Sequence, residues 1–260
     1  MAQVLLAPRE LLFIAALSGS TEFMGIPDAF FGIDDSEFED AISAIQAGLN
    51  DKGYAEQDFD GGFSLSENVL NIVDTCANCD AFIVLDKNKP TGERHRDRCY
   101  IKDGQTVRIT EDDGSYSLTE MTDTDMLLTD FLQDIDWLAP ESSLLGNLKV
   151  PSDVLTQVRS KQKGFDSTDS IHILTQAGCD ELSAGIVIEG LAEKLNYYSI
   201  IGTVLDGEKE GVYSCMLIDS QKGIYRIQPV MEDEDEFVLF TSMTSMQART
   251  ALEETLGSVF

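Results

Sequence analysis

Only two histidines, His95 and His172, occur in the chain, so any catalytic triad or histidine-based metal site would have to be built around one of them. His172 stands between Ile171 and Ile173 in a stretch of helical spacing, where a packed or partly exposed side chain is the expected role. Cysteine is scarce too. Five thiols, an odd number in a chain too large to need disulfide staples, point to reduced cysteines and a reducing compartment. Cys76 and Cys79 form the one Cys-x-x-Cys, and neither a second pair nor nearby histidines stand at zinc spacing, so no metal or redox role is assigned to them. No apolar run approaches the roughly 18 to 20 residues that span a bilayer as a helix, which argues against membrane insertion. The short run at 11–17 follows Glu10 directly and lacks a small-x-small cleavage site after it; it reads as a buried helix, not a signal peptide. Phosphate-binding glycine loops, H-E-x-x-H and G-x-S-x-G are all missing, and with them the usual sequence marks of cofactor binding and nucleophilic catalysis.

Positive charge is the other shortage. Lysine and arginine number 18 against 47 aspartates and glutamates, a net charge of −29. Affinity for nucleic acid comes largely from cationic contacts to phosphate, so this field disfavours DNA, RNA and anionic membrane surfaces alike. The same charge keeps a protein soluble and would attract basic partners. With 47 carboxylates, no acid and base pair can be singled out for catalysis. The expectation is a soluble, cytoplasmic binding protein without catalytic residues, metal or cofactor.

What is present is regular. Leu11, Leu12, Ile14 and Ala15 have helical spacing before Gly19, and residues 23–33 read as extended chain around Pro27. A second helix starting near Asp35 or Ser36 carries Phe38, Ile42, Ile45 and Leu49 on one face and stops at Lys52-Gly53. Asp60-Gly61-Gly62 between aromatic residues predicts a short hairpin or wing, and Ser66 opens a third helix through Val69, Leu70 and Val73 to Cys76. Short β-type runs follow at 81–85, 99–102, 106–110 and 116–121, with Asp103-Gly104 and Asp113-Gly114 as turns. Residues 125–135 are helical again, and 137–146 form a connector.

Beyond the connector this order returns: helices after Pro151-Ser152, at 171–177 and 182–195, strands at 197–205, 212–218, 223–229 and 236–241, and a last helix at 245–256. Val84-Leu85-Asp86 matches Val204-Leu205-Asp206, Arg108-Ile109 matches Arg226-Ile227, and Met121-Thr122 matches Met243-Thr244, at offsets of 120, 118 and 122. The fold class expected is α+β, with antiparallel β-sheet meanders flanked by helical bundles. Its two halves, residues 1–146 and 147–260, are expected to be related by a pseudo-twofold and packed as one unit.

Six of the 18 cations, Lys87, Lys89, Arg94, Arg96, Arg98 and Lys102, crowd into one stretch. The strand reading leaves about ten residues, 88–97, between two strands, more than the usual two to five. Two readings stay open: a solvated hairpin tip carrying Glu93 and Asp97 among its cations, or a basic finger that meets an acidic surface or a helix C-terminus. The final helix, with Met243 before it and Met246, Ala248, Leu252 and Leu256 along it, either packs on the sheet or offers an adaptable methionine-lined groove.

Across nearly the whole chain the pattern resembles the EspG family, the cytosolic chaperones of type VII (ESX) secretion. Residues 11–27 resemble the family's opening helix running into a proline-containing strand. Residues 147–155, with Val150-Pro151-Ser152, are similar to its passage into the second half, and Asp219-x-x-x-Gly223-x-Tyr225 looks like its Asp-x-x-x-Gly-Arg-Tyr strand, with Ile224 where the family usually has arginine. The resemblance implies an EspG-like fold and a role as a chaperone that keeps a helical-hairpin secretion substrate (WXG-, LXG- or PE-PPE-like) soluble for export. It implies contacts from the loop at 88–97 and from the helices at 182–195 and 245–256, hence Lys89, Arg94, His95, Arg96, Arg98, Leu191 and Met246 as partner-binding residues. Monomer and homodimer both remain open. The rival reading is an acidic winged-helix-like interaction or regulatory protein, because a helix followed by the Asp60-Gly61-Gly62 hairpin also builds a wing. Yet the helix before it carries Glu37, Glu39 and Asp40 and no lysine or arginine, the wrong charge for a DNA groove.

Overall fold

The computed structural model describes residues 3–57, 62–89, 91–121, 124–133, 135, 137–138, 147–161, 167–191, 195–205, 210–221 and 223–260. In chain order the first half runs β1 (Gln3–Leu6), α1 (Pro8–Leu17), α2 (Asp35–Asp51), β2 (Ala55–Gln57), β3 (Phe63–Leu65), α3 (Glu67–Ala77), β4 (Ala81–Asn88), β5 (Arg94–Lys102), β6 (Gln105–Asp112), β7 (Ser115–Met121) and α4 (Thr124–Gln133). The second runs β8 (Leu148–Pro151), α5 (Ser152–Lys161), α6 (Ser167–Gln176), α7 (Glu181–Leu191), β9 (Asn196–Val204), β10 (Gly211–Ser220), β11 (Gly223–Glu232), β12 (Asp235–Met243) and α8 (Ser245–Gly257). The class is α+β, built on antiparallel meanders. Contacts divide the chain into two compact units that interleave: one spans 1–84, 96–127 and 203–211, the other 85–95, 128–202 and 212–260.

In the first unit the strand order β1-β7-β6-β5 is antiparallel throughout. Its tight turns place Asp103 and Asp113 at positive φ, each followed by a glycine, the arrangement that matches the twist of paired strands. α1 and α3 pack on this meander, and α2 packs on α1 and β2, with the stripes the sequence displays. Leu6, Leu11, Ile14, Leu49, Ile72, Ile109 and Leu118 lie fully inside one cluster, each such side chain contributing about 1.5–3 kcal/mol by leaving water. α1 begins where Pro8 sets the helical φ and the Ala7 N–H donates to Glu10 Oε2 at 2.6 Å. The same carboxylate pairs with Lys52 at 2.6 Å, and Gly48 of α2 lets it approach: a Cβ there would stand 3.0 Å from Glu10 Oε1. Along β1, the Leu5 N–H donates to the Tyr54 hydroxyl and Lys52 Nζ donates to the Leu5 carbonyl.

In the second unit β10-β11-β12-β8 is antiparallel as well. α5 and α6 pack beside it around Leu155, Val158, Leu174 and Ala184. α8 starts with a reciprocal cap, Gln247 N–H to Thr244 Oγ1 and Thr244 N–H to Gln247 Oε1, worth about 1 kcal/mol.

The repeat extends to strand register. In β6·β7, Thr106 faces Met121; in β11·β12, Ile224 faces Met243, which are the same pairs displaced by 118 and 122. The difference between these offsets is four residues, because β11 and β12 are each two residues longer than β6 and β7. β1 and β8 correspond too. Val4 faces Leu118 and Leu6 faces Tyr116, while Leu148 faces Phe240 and Val150 faces Val238, a constant displacement of 144.

Several expectations are corrected. Residues 23–33 form a series of turns with Gly25 and Gly32 at positive φ, not extended chain or a proline-containing strand. The segment 88–97 is not a ten-residue loop: β4 and β5 continue through it, leaving residues 89–93 as the connection, a length ordinary for a hairpin. Of the helix expected at 182–195, α7 accounts for the part through Leu191; residues 192–194 lie outside the described residues, and Leu195 is a bend ahead of β9. The four-residue strands β1 and β8 were not anticipated. The wing is present as the β2·β3 pair, Ala55 to Leu65 and Gln57 to Phe63, but its Asp60-Gly61 tip and most of the connector at 137–146 lie outside the described residues.

Candidate functional site

The hairpin formed by β4 and β5 gathers the basic stretch. Its turn is held by the Gly92 N–H donating to the Lys89 carbonyl and the Lys89 N–H donating to the Glu93 carbonyl, both at 2.9 Å, with Gly92 in the left-handed region that a side chain would strain. Lys89 Nζ reaches Glu93 Oε2 at 3.3 Å.

Most of the cations are already engaged within the fold. Arg94 grips Asp86 with both prongs, Nε to Oδ1 at 3.2 Å and NH2 to Oδ2 at 2.8 Å; the buried carboxylate raises the guanidinium pKa further, and 54% of the arginine side chain still faces solvent. Lys87 is buried, its ammonium 4.8 Å from the centre of the Phe131 ring and donating to the Asp130 carbonyl at 3.5 Å. Lys102 pairs with Asp74 at 2.5 Å. Arg98, only 7% exposed, lies 3.7 Å from Glu111 and over the Tyr116 ring, holding β5 against its neighbours instead of projecting. His95 and Arg96 are exposed on β5. The basic stretch is therefore laced with acid partners, and the surface it offers is Lys89, His95, Arg96 and the outer part of Arg94.

The remaining predicted contacts sit on other elements. Met246, 77% exposed, is in the first turn of α8, a helix that packs by Ala248, Leu252 and Leu256 near β11 and β12. Leu191 ends α7, which lies on α6.

Asp219 of the Asp-x-x-x-Gly-x-Tyr motif is fully buried. Its Oδ2 accepts the Leu138 N–H at 2.8 Å and the Asn196 side-chain amide at 3.1 Å, next to the Trp137 and Tyr198 rings packed edge to face at 5.4 Å. That motif anchors the start of the connector. Gly223, opposite Ser220 in the turn, lies where a Cβ would meet the Tyr225 ring at 3.0 Å, so the glycine and tyrosine of the motif are complementary in space.

The cysteines are chemically quiet. Burial pushes the Cys76 and Cys99 thiols well up, and Cys79 is raised to about 11, chiefly by burial. Among the described residues no cluster of three or more His, Cys, Asp or Glu is placed to hold a metal ion, and no helix is long and apolar enough to cross a membrane.

Sequence reasoning missed one feature. A cavity of about 590 Å³ opens between α1, α2 and the turns that join them, lined by Leu12, Phe13, Phe23, Phe30, Phe38 and Ile42 among others. The signal was present in the Phe30-Phe31 pair and in Phe38, large aromatic residues set in an otherwise acidic stretch.

No family model matches the chain, and no curated protein does. Among solved structures it matches the Mycobacterium tuberculosis type VII secretion system chaperone EspG5, determined in complex with a PE25-PPE41 dimer, at a TM-score of 0.62 and 11% identity, over 100% of this chain and 97% of that one. Over its whole length the chain therefore has an EspG-like fold.

Proposed function

We propose that this protein is a cytoplasmic chaperone or adaptor that binds a helical secretion substrate and keeps it soluble for a type VII (ESX) system. The observation that carries the reading is the likeness of fold to EspG5 over 100% of this chain and 97% of that one. The physical logic is consistent with it. A helical hairpin with an exposed apolar tip aggregates unless the tip is covered, and a sheet-and-helix surface can cover it without chemistry. The proposed contacts are Lys89, Arg94, His95 and Arg96 on the β4–β5 hairpin, with Leu191 and Met246 on α7 and α8; Arg98 supports the hairpin from inside. We further propose that the halves 1–146 and 147–260 act as one pseudo-symmetric platform.

Co-expression with a WXG-, an LXG- and a PE-PPE-type substrate, followed by size-exclusion chromatography, tests the proposal. A stoichiometric complex with one class, weakened at least fivefold by Lys89→Glu with Arg96→Glu, is expected. Absence of a complex with every class would sink the chaperone reading, whereas a complex indifferent to the charge reversal would leave it standing and move the site off the hairpin.

A further inference from the structure

We infer that the groove between α1 and α2 is a second docking surface, and that its occupant is an amphipathic helix of a partner protein bearing lysine or arginine beside its apolar stripe. This goes beyond the chaperone reading and involves different residues, all in the first unit.

The groove is apolar and open at once. Its volume of about 590 Å³ falls within the range of roughly 300–1,000 Å³ that receives large ligand groups. Phe38 remains 46% exposed, and Phe31, next in the chain to the lining Phe30, is 90% exposed. A half-exposed phenylalanine in the lining and a nearly bare one beside it in sequence are the kind of apolar surface on which a partner helix sets its anchors.

The walls are held in place before any partner arrives. Arg9 donates through Nε to the Ala29 carbonyl at 3.1 Å and lies over the Phe30 ring, whose N–H is held by Asp28 Oδ1 at 2.8 Å. Phe30 and Phe38 are 5.8 Å apart. Below them, Phe23 packs edge to face on Tyr100, and the Tyr100 hydroxyl donates to the Met24 carbonyl at 2.7 Å. A rigid groove spares the partner the cost of ordering it.

Charge selects the occupant. Glu22 and Asp28 are part of the groove lining itself, and α2 adds the exposed Glu37, Glu39 and Asp40 beside Phe38, against Arg9 over Phe30, whose Nε is already taken up by the Ala29 carbonyl. An acidic or neutral helix would meet repulsion or nothing, whereas cations flanking the apolar stripe would meet carboxylates along the rim.

The test uses the whole protein and three fluorescein-labelled 18-residue probes: an amphipathic Leu/Lys helix, an isomer of the same composition in scrambled order, and a Leu/Glu version of the first. Anisotropy at 150 mM salt is expected to give at least tenfold tighter binding for the Leu/Lys helix than for either control. Phe38→Ser, at a half-exposed site, and Glu22→Lys with Glu39→Lys are each expected to weaken it at least fivefold, while the Lys89→Glu, Arg96→Glu protein binds as well as the parent. A benzophenone on the peptide should crosslink to residues 12–42, a readout that does not depend on the variants folding. Equal binding of the scrambled isomer would reduce the effect to the general acidic field and overturn the inference, as would crosslinks elsewhere or equal binding of the Leu/Glu helix. Self-association lost on Phe38→Ser, without peptide binding, would assign the groove to a second copy of the chain and overturn it too.

Discussion

Replacing Gly25 by alanine separates two costs that usually arrive together. Gly25 has φ +71, and a Cβ on it would stand 2.6 Å from Phe82 Cζ. A side chain in the left-handed region costs about 1–2 kcal/mol, and forcing extra volume into a packed site adds about 1–3 kcal/mol. Phe82 cannot easily yield, since its ring lies 4.9 Å from that of Tyr100, which is itself tied to the Met24 carbonyl. Gly25→Ala should therefore destabilise by about 2–5 kcal/mol in all. Gly19 is the control for strain, at φ +84 with nothing within 4 Å, so Gly19→Ala should cost only about 1–2 kcal/mol. Gly202 is the control for crowding: its φ is not left-handed, but a Cβ would stand 2.2 Å from Val259 Cγ2, and the expected loss is about 1–3 kcal/mol. Urea unfolding followed by far-ultraviolet circular dichroism gives the three values. Phe82→Leu in the Gly25→Ala background should restore part of the loss. If Gly25→Ala and Gly19→Ala agree to within about 0.5 kcal/mol, the ring contact contributes nothing and the reasoning fails.

Further expectations follow from single contacts. Tyr100→Phe leaves the Met24 carbonyl without its donor and should cost about 1–3 kcal/mol in the same unfolding assay; a neutral result would mean that water replaces the hydroxyl. Asp74, hydrogen-bonded to Lys102 and Asn78, is held below the ordinary carboxylate pKa, so its contribution to stability is complete above about pH 4 and fades as pH falls through its lowered folded value. An NMR titration should show that low midpoint, and Lys102→Met should move it up towards the ordinary value. With Cys79 raised to about 11, only about one thiolate in a thousand exists at pH 8. A disulfide reagent should accordingly label the native thiols slowly and all five at once in urea, and rapid native labelling of Cys76 or Cys99 would contradict their burial.

The helices and meanders were legible because each carries a period long enough to decide: Ile42, Ile45 and Leu49 on α2, or the Asp-Gly turns that punctuate β5, β6 and β7. β1 and β8 alternate correctly, with Val4 and Leu6 or Leu148 and Val150 inward, but four residues cannot establish a period, and only pairing with β7 and β12 makes them strands. The hairpin failed for the opposite reason. Arg94, His95, Arg96 and Asp97 have little preference for a strand, and it is cross-strand pairing, with Arg94 reaching over to Asp86, that carries β5 so far back. The basic stretch was legible as a charge anomaly, but the sequence could not tell which of its cations pair with acids of the same chain. The turns at 23–33 were read as extended because Pro27 dominated, whereas Gly25 and Gly32 at positive φ decide the path.

The outermost strand of the first unit's meander does not present a bare row of amides. With Tyr54 accepting from the Leu5 amide and Lys52 donating to the Leu5 carbonyl, a foreign strand that tried to zip onto this border would have to displace a phenol and an ammonium before gaining a bond. Sealing this border steers recognition to side chains and withholds a seed for fibrils.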